Sequence, residues 1–310
     1  MATYLVTGGA GFIGSHIVNK LVAENEQVIV VDNLTTGSLE NLRGIIDQIN
    51  FIKADIMDTT TMGQIIQKVD YIIHQAAKIS VIESVEDPVG FHDINVTATL
   101  NLLELAKKSK VRRFVLASSS AVYGANSNLP LAETEPAAPL SPYGVNKLIG
   151  EIYARLYYEL YGLETVCLRY FNVFGPKQRP DSPYAAVIPK FVANLIVDKP
   201  VQIYGTGEQT RDFIFVEDVA AANIAACRCS DIGGEVFNIA SGKQVSVNDL
   251  FIQISHMLLS NSTPEYQPPR EGEVLHSVAL TAKSETKLNF KPAVSFEEGL
   301  EKTVYWYKVH

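Results

Sequence analysis

The chain has only three cysteines, Cys167, Cys227 and Cys229, in 310 residues. An odd count with no C-x-x-C spacing excludes a disulfide framework and a paired-cysteine metal site, and no metal is expected. Free thiols point to a reducing compartment. No apolar run approaches the ~18 residues of a membrane span. Nor does MATYLVTGG carry a basic leader, so no secretory signal is expected and the cytoplasm is the expected location. Basic clusters are missing as well: 26 Lys and Arg stand against 34 Asp and Glu, a net charge of −8. That balance argues against nucleic acid and anionic membrane as partners. A phosphorylated ligand would be held instead by a few placed arginines and by backbone amides. With 47% hydrophobic and 19% charged residues, neither collagen nor a disordered chain is possible.

The first two thirds alternate short apolar runs with helical segments. Strands are expected at Tyr4–Val6, Val28–Val31, Phe51–Lys53, Tyr71–Ile73, Phe114–Ala117 and Thr165–Leu168. They are apolar almost throughout, as strands covered on both faces must be. Helices are expected at Ile13–Ala23, Thr60–Gln67, Phe91–Lys108 and Tyr143–Tyr161. This alternation predicts an α/β fold: a Rossmann-type, doubly wound parallel sheet. After Gly175-Pro176 prolines punctuate a looser region. Phe213–Val216 and Val236–Ile239 then read as a return to the sheet, around a small-residue helix at Val219–Arg228. Helices near Val247–Leu259 and Phe296–Tyr307 close the chain. Two interleaved domains are expected: a dinucleotide-binding one from 1–178 plus 212–240, and a smaller α/β substrate domain from 179–211 plus 241–310.

Residues Gly8, Gly11 and Gly14 space a strand-to-helix turn as GxxGxxG, and from Gly9 the same run reads GxGxxG. Such glycines let backbone amides, here with Phe12 and Ile13 at the helix start, approach a pyrophosphate. Asp32 ends the second strand, 18 residues beyond Gly14. A carboxylate there accepts both ribose hydroxyls and repels a 2′-phosphate. Asn33-Leu34-Thr35-Thr36-Gly37 holds no arginine, so the expected cofactor is NAD rather than NADP. Asp55-Ile56 follows the third strand, within reach of an adenine amino group. Gln75-Ala76-Ala77-Lys78 follows the fourth, where small alanines admit the cofactor.

Ser118-Ser119-Ser120 ends the fifth strand, at the carboxyl edge where open α/β sheets bind ligands. Tyr143 and Lys147 lie four residues apart on a helix opened by Pro142, so they share a face. An ammonium beside the phenol would favour phenolate and make Tyr143 a base. A serine at the strand end would bind the same reacting oxygen.

These segments, with Leu168-Arg169-Tyr170-Phe171-Asn172-Val173-Phe174-Gly175-Pro176, resemble an extended short-chain dehydrogenase/reductase over essentially the whole chain, and within it the nucleotide-sugar 4-epimerases. The resemblance implies a catalytic set of Ser119, Tyr143 and Lys147, counting four residues back from Tyr123; Ser118 and Ser120 share the neighbourhood, and the choice among the three stays open. It also implies cofactor contacts from Asn95, Ser118 and Tyr170, and substrate contacts from Ser80, Ser119, Ser120 and Tyr143. Asn172 would bind the phosphate. Val187, Ile188, Gln202 and Tyr204 would hold uridine, Arg211 and Arg270 the diphosphate, and Glu273 the ribose.

Dehydratases of this family follow the catalytic Ser/Thr with Asp-Glu, and decarboxylases carry a glutamate there; Ser120-Ala121 offers neither. The implied reaction is reversible oxidation at C4 of a UDP-sugar, with glucuronate enzymes, reductases and a non-catalytic NAD-binding sensor as alternatives. The position seven residues after Arg270 is Ser277, where a tyrosine restricts relatives to the non-acetylated sugars; serine implies room for UDP-GlcNAc as well as UDP-Glc. Apolar residues Leu100, Leu103, Leu148, Ile152 and Leu156 exceed what one sheet face covers, which implies a homodimer through a four-helix bundle.

Overall fold

The computed structural model describes residues 1–180, 186–269 and 274–310. Six strands come early: β1 Thr3–Thr7, β2 Gln27–Asp32, β3 Asn50–Lys53, β4 Tyr71–His74, β5 Arg113–Ser119 and β6 Thr165–Tyr170. Four short ones follow, β7 Asn172–Phe174, β8 Val201–Tyr204, β9 Thr210–Arg211 and β10 Phe213–Phe215, and then β11 Glu235–Ile239, β12 Val245–Ser246 and β13 Pro264–Gln267. The central sheet is parallel throughout, in the order β3-β2-β1-β4-β5-β6-β11. This is a Rossmann-type α/β sheet, as the alternation of segments requires.

The helices are α1 Phe12–Ala23, α2 Thr59–Ile66, α3 Val81–Glu86, α4 Pro88–His92, α5 Ala98–Ser109, α6 Pro142–Tyr161, α7 Val187–Ile196, α8 Val216–Arg228, α9 Val247–Leu258, α10 Ala282–Thr286 and α11 Phe296–Val309. Each strand sends alternate side chains to opposite faces. Along β1, Tyr4 and Val6 join a core with α1 and α8, whereas Leu5 joins a second core with α2, α5 and α6. A third core sits off the sheet: Ile188, Phe191 and Leu195 of α7 pack with Ile203, Phe213, Leu250, Ile254 and Leu300. Burying one such Leu or Phe contributes roughly 1.5–3 kcal/mol.

Several elements and side chains differ from the sequence expectation. The 91–108 helix starts earlier, at α4, and passes through a π-helical turn at Asp93–Thr97 before α5. The Phe213-Ile214-Phe215 run pairs with β7 in a separate two-stranded ladder instead of joining the central sheet. Residues 187–196 are helical despite Pro189, because a proline in the first turn removes an N–H that has no intrahelical partner. Leu103 is fully buried in the core under α5, so it supplies no intermolecular surface; Leu148 is half-buried beside Val122 and Tyr123.

Helix α6 is firmly delimited. Ser141 Oγ accepts from Gly144 N at 3.1 Å, Pro142 opens the first turn, and Gly162 closes it at φ +67°. Those caps set where Tyr143 and Lys147 fall relative to the end of β5.

Candidate active site

At the β1–α1 turn, Gly8 adopts φ +67° and a Cβ there would stand 2.7 Å from Ala76 N. A Cβ on Gly14 would meet Gly8 O at 2.1 Å. Both positions require glycine. Gly11 caps α1 with no side-chain acceptor, which leaves the first-turn amides of Phe12 and Ile13 for an external anion. Asp32 is buried; its carboxylate accepts from Ala10 N at 3.0 Å and Leu34 N at 2.8 Å, and a Cβ on Gly37 would touch it at 2.8 Å. Asn33 Nδ2 donates to Asp55 Oδ2 at 2.9 Å, tying the two loops that would flank adenosine, with Ile56 buried behind them. Thr36 offers its carbonyl to Arg179 Nη1 at 3.4 Å, an arginine the local sequence around 33–37 could not reveal. The cradle fits a dinucleotide: open amides, a carboxylate at the end of β2, and two glycines that only a backbone-close ligand and a close-packed turn require together.

The loop after β4 completes it. Asn95 Oδ1 accepts from Lys78 N and its Nδ2 donates to Lys78 O, both at 2.9 Å, so one side chain of the π turn clamps the backbone of Lys78. Lys78 Nζ pairs with Asp87 at 2.7 Å. Gln75 Nε2 donates to Tyr170 Oη at 2.9 Å, and Tyr170 donates to Asn223 Oδ1 at 2.9 Å. Burial raises the Tyr170 phenol well above its usual value. Asn95 and Tyr170, both named from resemblance as cofactor contacts, thus spend their side-chain polar groups on holding this loop.

Ser119, Tyr143 and Lys147 come together at the carboxyl end of β5. The Ser119 hydroxyl accepts from Ala121 N at 3.2 Å and acts on the Tyr143 phenol, favouring its ionised form. Lys147 Nζ lies 5.8 Å from the Tyr143 ring centre and donates to Ala117 O at 2.8 Å. Burial raises the Tyr143 pKa, opposed by the Ser119 hydroxyl. Burial lowers Lys147 to about 8, opposed by Glu151. The expectation that the ammonium would draw the phenol down therefore gives way to desolvation. Ser118 is turned away: it is buried and its Oγ donates to Glu151 Oε1 at 2.5 Å. Ser120 opens a 3₁₀ turn at Ser120–Tyr123, capped by Ser119. Of the three serines, Ser119 is the one whose hydroxyl acts on the Tyr143 phenol.

The substrate-side residues are more scattered. Ser80 caps α3, accepting from Glu83 N at 3.1 Å. Asn172 Nδ2 donates to Asp212 O at 3.3 Å. Ile188 is buried in the third core, and Val187 is half-buried beside it. Gln202 and Tyr204 share one face of β8, joined by a 3.2 Å hydrogen bond. Arg211 donates to Thr210 O and Leu275 O at 2.9 and 3.1 Å. Ser277 is buried and its N–H donates to Thr210 O at 3.2 Å, which sets it beside Arg211. Arg270 and Glu273 lie outside the described residues.

Known proteins give this geometry a family. The model of the NAD dependent epimerase/dehydratase family matches residues 4–240. This chain belongs to that family. The UDP-N-acetylglucosamine 4-epimerase of Methanobrevibacter ruminantium, solved with UDP-N-acetylmuramic acid, is 42% identical, with a TM-score of 0.96 and 99% and 98% of the two chains covered. The UDP-glucose 4-epimerase of Thermotoga maritima, with UDP-glucose, is 40% identical at TM-score 0.95, covering 99% of each chain. The UDP-glucuronic acid 4-epimerase of Bacillus cereus, with UDP-glucuronic acid and NAD, is 33% identical at TM-score 0.92, again covering 99% of each. The cofactor of the family, and of this chain, is NAD.

Some residues of this epimerase/dehydratase site escaped the sequence. Asp212 is buried and accepts from Ser241 N, Ser241 Oγ, Gly242 N and Ala279 N at 2.7–3.1 Å, which fixes the backbone next to Arg211. Burial raises its pKa against those bonds. His74 accepts from Thr7 or donates to it through Nδ1 at 2.7 Å, and bonds Thr99 through Nε2 at 3.0 Å. Since Thr99 already donates to Asn95 O at 2.8 Å, Nε2 carries the proton and Nδ1 accepts. Only tertiary proximity reveals these contacts. An aspartate directly after Arg211 was the one local signal available.

Proposed function

We propose that this protein is an NAD-dependent UDP-sugar 4-epimerase acting on UDP-Glc/UDP-Gal and on UDP-GlcNAc/UDP-GalNAc. The observation that carries the reading is the convergence of Ser119, Tyr143 and Lys147 at the carboxyl edge of the sheet next to the dinucleotide cradle, with Lys147 Nζ 5.8 Å from the Tyr143 ring centre. Ser120-Ala121 supplies no second acid or base, which argues against dehydration. When bound, NAD supplies the reversible hydride chemistry at C4. Tyr143 Oη takes the 4-hydroxyl proton and returns it, while Ser119 Oγ hydrogen-bonds the same oxygen. Lys147, anchored on Ala117 O, supplies the positive charge that a phenolate needs; a positioned base of this kind contributes about 10²–10⁴-fold. The 4-keto sugar turns about its diphosphate and presents its other face.

In this reading 1–178 plus 212–240 bind NAD, and 179–211 plus 241–310 bind the nucleotide sugar. Arg211 and Arg270 hold the diphosphate as charge-assisted pairs. Gln202, Tyr204, Val187 and Ile188 line the uridine end, Glu273 the ribose, and Ser277 the C2 substituent. Val145, Ile152 and Leu156 of α6 are exposed, as are Val85 and Val89. This apolar face supports a homodimer, with α6 packing across a two-fold axis.

Incubation with UDP-Glc, UDP-GlcNAc and UDP-GlcA separately, with products resolved by chromatography, tests the assignment. Conversion of UDP-Glc to UDP-Gal and of UDP-GlcNAc to UDP-GalNAc, with UDP-GlcA unchanged, is expected. Turnover of UDP-GlcA alone, or of none, overturns it.

A further inference from the structure

Tyr143, Lys147 and Glu151 follow one another at four-residue spacing on one face of α6. Glu151 and Arg169 are both 5% exposed, and they form a bidentate pair. Arg169 Nε donates to Oε1 at 2.9 Å and Nη2 to Oε2 at 2.7 Å. Ser118 Oγ donates to the same Oε1 at 2.5 Å. The guanidinium lies 4.6 Å from the Tyr123 ring centre, and Tyr123 in turn donates to Asn238 Oδ1 at 2.7 Å. A buried ion pair of this kind is poor evidence for stability, since well-packed apolar residues often serve as well. Its position, one residue from Ser119 and one turn from Lys147, supplies another reason for it.

We propose that Glu151 is a positioning residue of the catalytic centre: held by Arg169, its carboxylate fixes Ser118 inward and places the counter-charge of the Lys147 ammonium one turn below it. The proposal rests on the acid–base role of Tyr143 given above. With Ser118 tied to Glu151, the end of β5 that carries Ser119 is pinned to the helix that carries Tyr143 and Lys147. Around Lys147, α6 contributes Tyr143 and Glu151, β5 the Ala117 carbonyl, β4 His74, and β6 Cys167 with Arg169 beyond it. His74 is neutral, lowered to about 3 by burial and by Lys147. Burial keeps Cys167 a thiol. That leaves Glu151 as the carboxylate acting on Lys147 among the described residues. The Tyr143 phenol feels burial and Ser119 instead. Loss of the Glu151 charge therefore favours the pair in which Lys147 has given up its proton and Tyr143 has kept it, which is the inactive arrangement.

Glu151→Gln keeps the shape and removes the charge. Its expected effect is a kcat about tenfold or more below wild type at neutral pH, with KM for the UDP-sugar within about twofold. The basic limb of the pH profile should move down by about one pH unit, and Glu151→Asp should restore it. Ultraviolet titration of the Tyr143 phenol in the NAD-bound protein, with Tyr143→Phe as blank, should show it ionising at higher pH in Glu151→Gln than in the wild type. This second readout needs no turnover, so it stands even if no UDP-sugar is converted by the wild type. If Glu151→Gln does not fold, Glu151→Gln/Arg169→Leu leaves no unpaired buried cation and is read in the same way. A variant that loses only thermal stability, with the limb and the phenolate signal unmoved, makes the pair merely structural and overturns the proposal.

Discussion

The two sides of the proposed site are built differently. In the reading proposed above, the NAD-side groups sit at the ends of strands of four to seven residues in one seven-stranded sheet, most of them hydrogen-bonded on both edges, or on the 20-residue α6. On the substrate side they hang from two-stranded ladders whose members are as short as two residues, such as β9 and β12. Position on the first side is set by backbone that cannot shift without opening a core. On the second it is set by a few side chains, with Asp212 gathering four bonds beside Arg211. Chemistry common to a family belongs on the rigid side. Choice of sugar, which differs among the three solved relatives, belongs where a single side chain can change the shape.

Changes on the NAD side should accordingly be severe and indifferent to the sugar. Gly14→Ala drives a Cβ into Gly8 O, and should weaken NAD binding about a hundredfold or more, near 2.7 kcal/mol, by calorimetric titration. Binding within a few-fold of wild type would show that the turn can relax. On the substrate side the response should depend on the sugar. Ser277→Tyr should cut UDP-GlcNAc/UDP-GalNAc turnover about tenfold or more while sparing UDP-Glc/UDP-Gal. Equal loss for both pairs would make Ser277 a general packing position.

The smallest effect expected is on stability alone. His74 has a folded-state pKa near 3 against 6.5 when unfolded, and His16 one near 4, both chiefly through burial. Depressed bases bind protons in the unfolded chain first. Their contribution is therefore complete above about pH 6.5 and is lost progressively as pH falls toward 3–4. The Tm should drop between pH 7 and 4.5, and His74→Asn should make that drop shallower. An unchanged slope in the variant would place the acid sensitivity elsewhere.

The same contrast decides what could be read from the sequence. Runs such as Leu5-Val6 and Ile72-Ile73 are apolar because both faces are covered, and they announce strands by themselves. The glycine turn and the Tyr143–Lys147 spacing are local, so they were legible too. Phe213-Ile214-Phe215 has the same apolar texture but belongs to another core, which a pattern of hydrophobicity cannot tell apart. The proline at 189 hid α7. Leu103 looked like surplus apolar surface because its position under α2 and β4 is a tertiary fact. The Glu151–Arg169 pair was not legible at all, since nothing local says that residues 18 apart in sequence meet inside the protein.

The account turns on Tyr143 as the proton-transferring group of a 4-epimerase. Tyr143→Phe should lose about a thousandfold or more in kcat for UDP-Glc, while UDP binding by calorimetry stays within about threefold of wild type. Turnover near that of wild type in a variant that still binds UDP would contradict it, and would place the base on another residue.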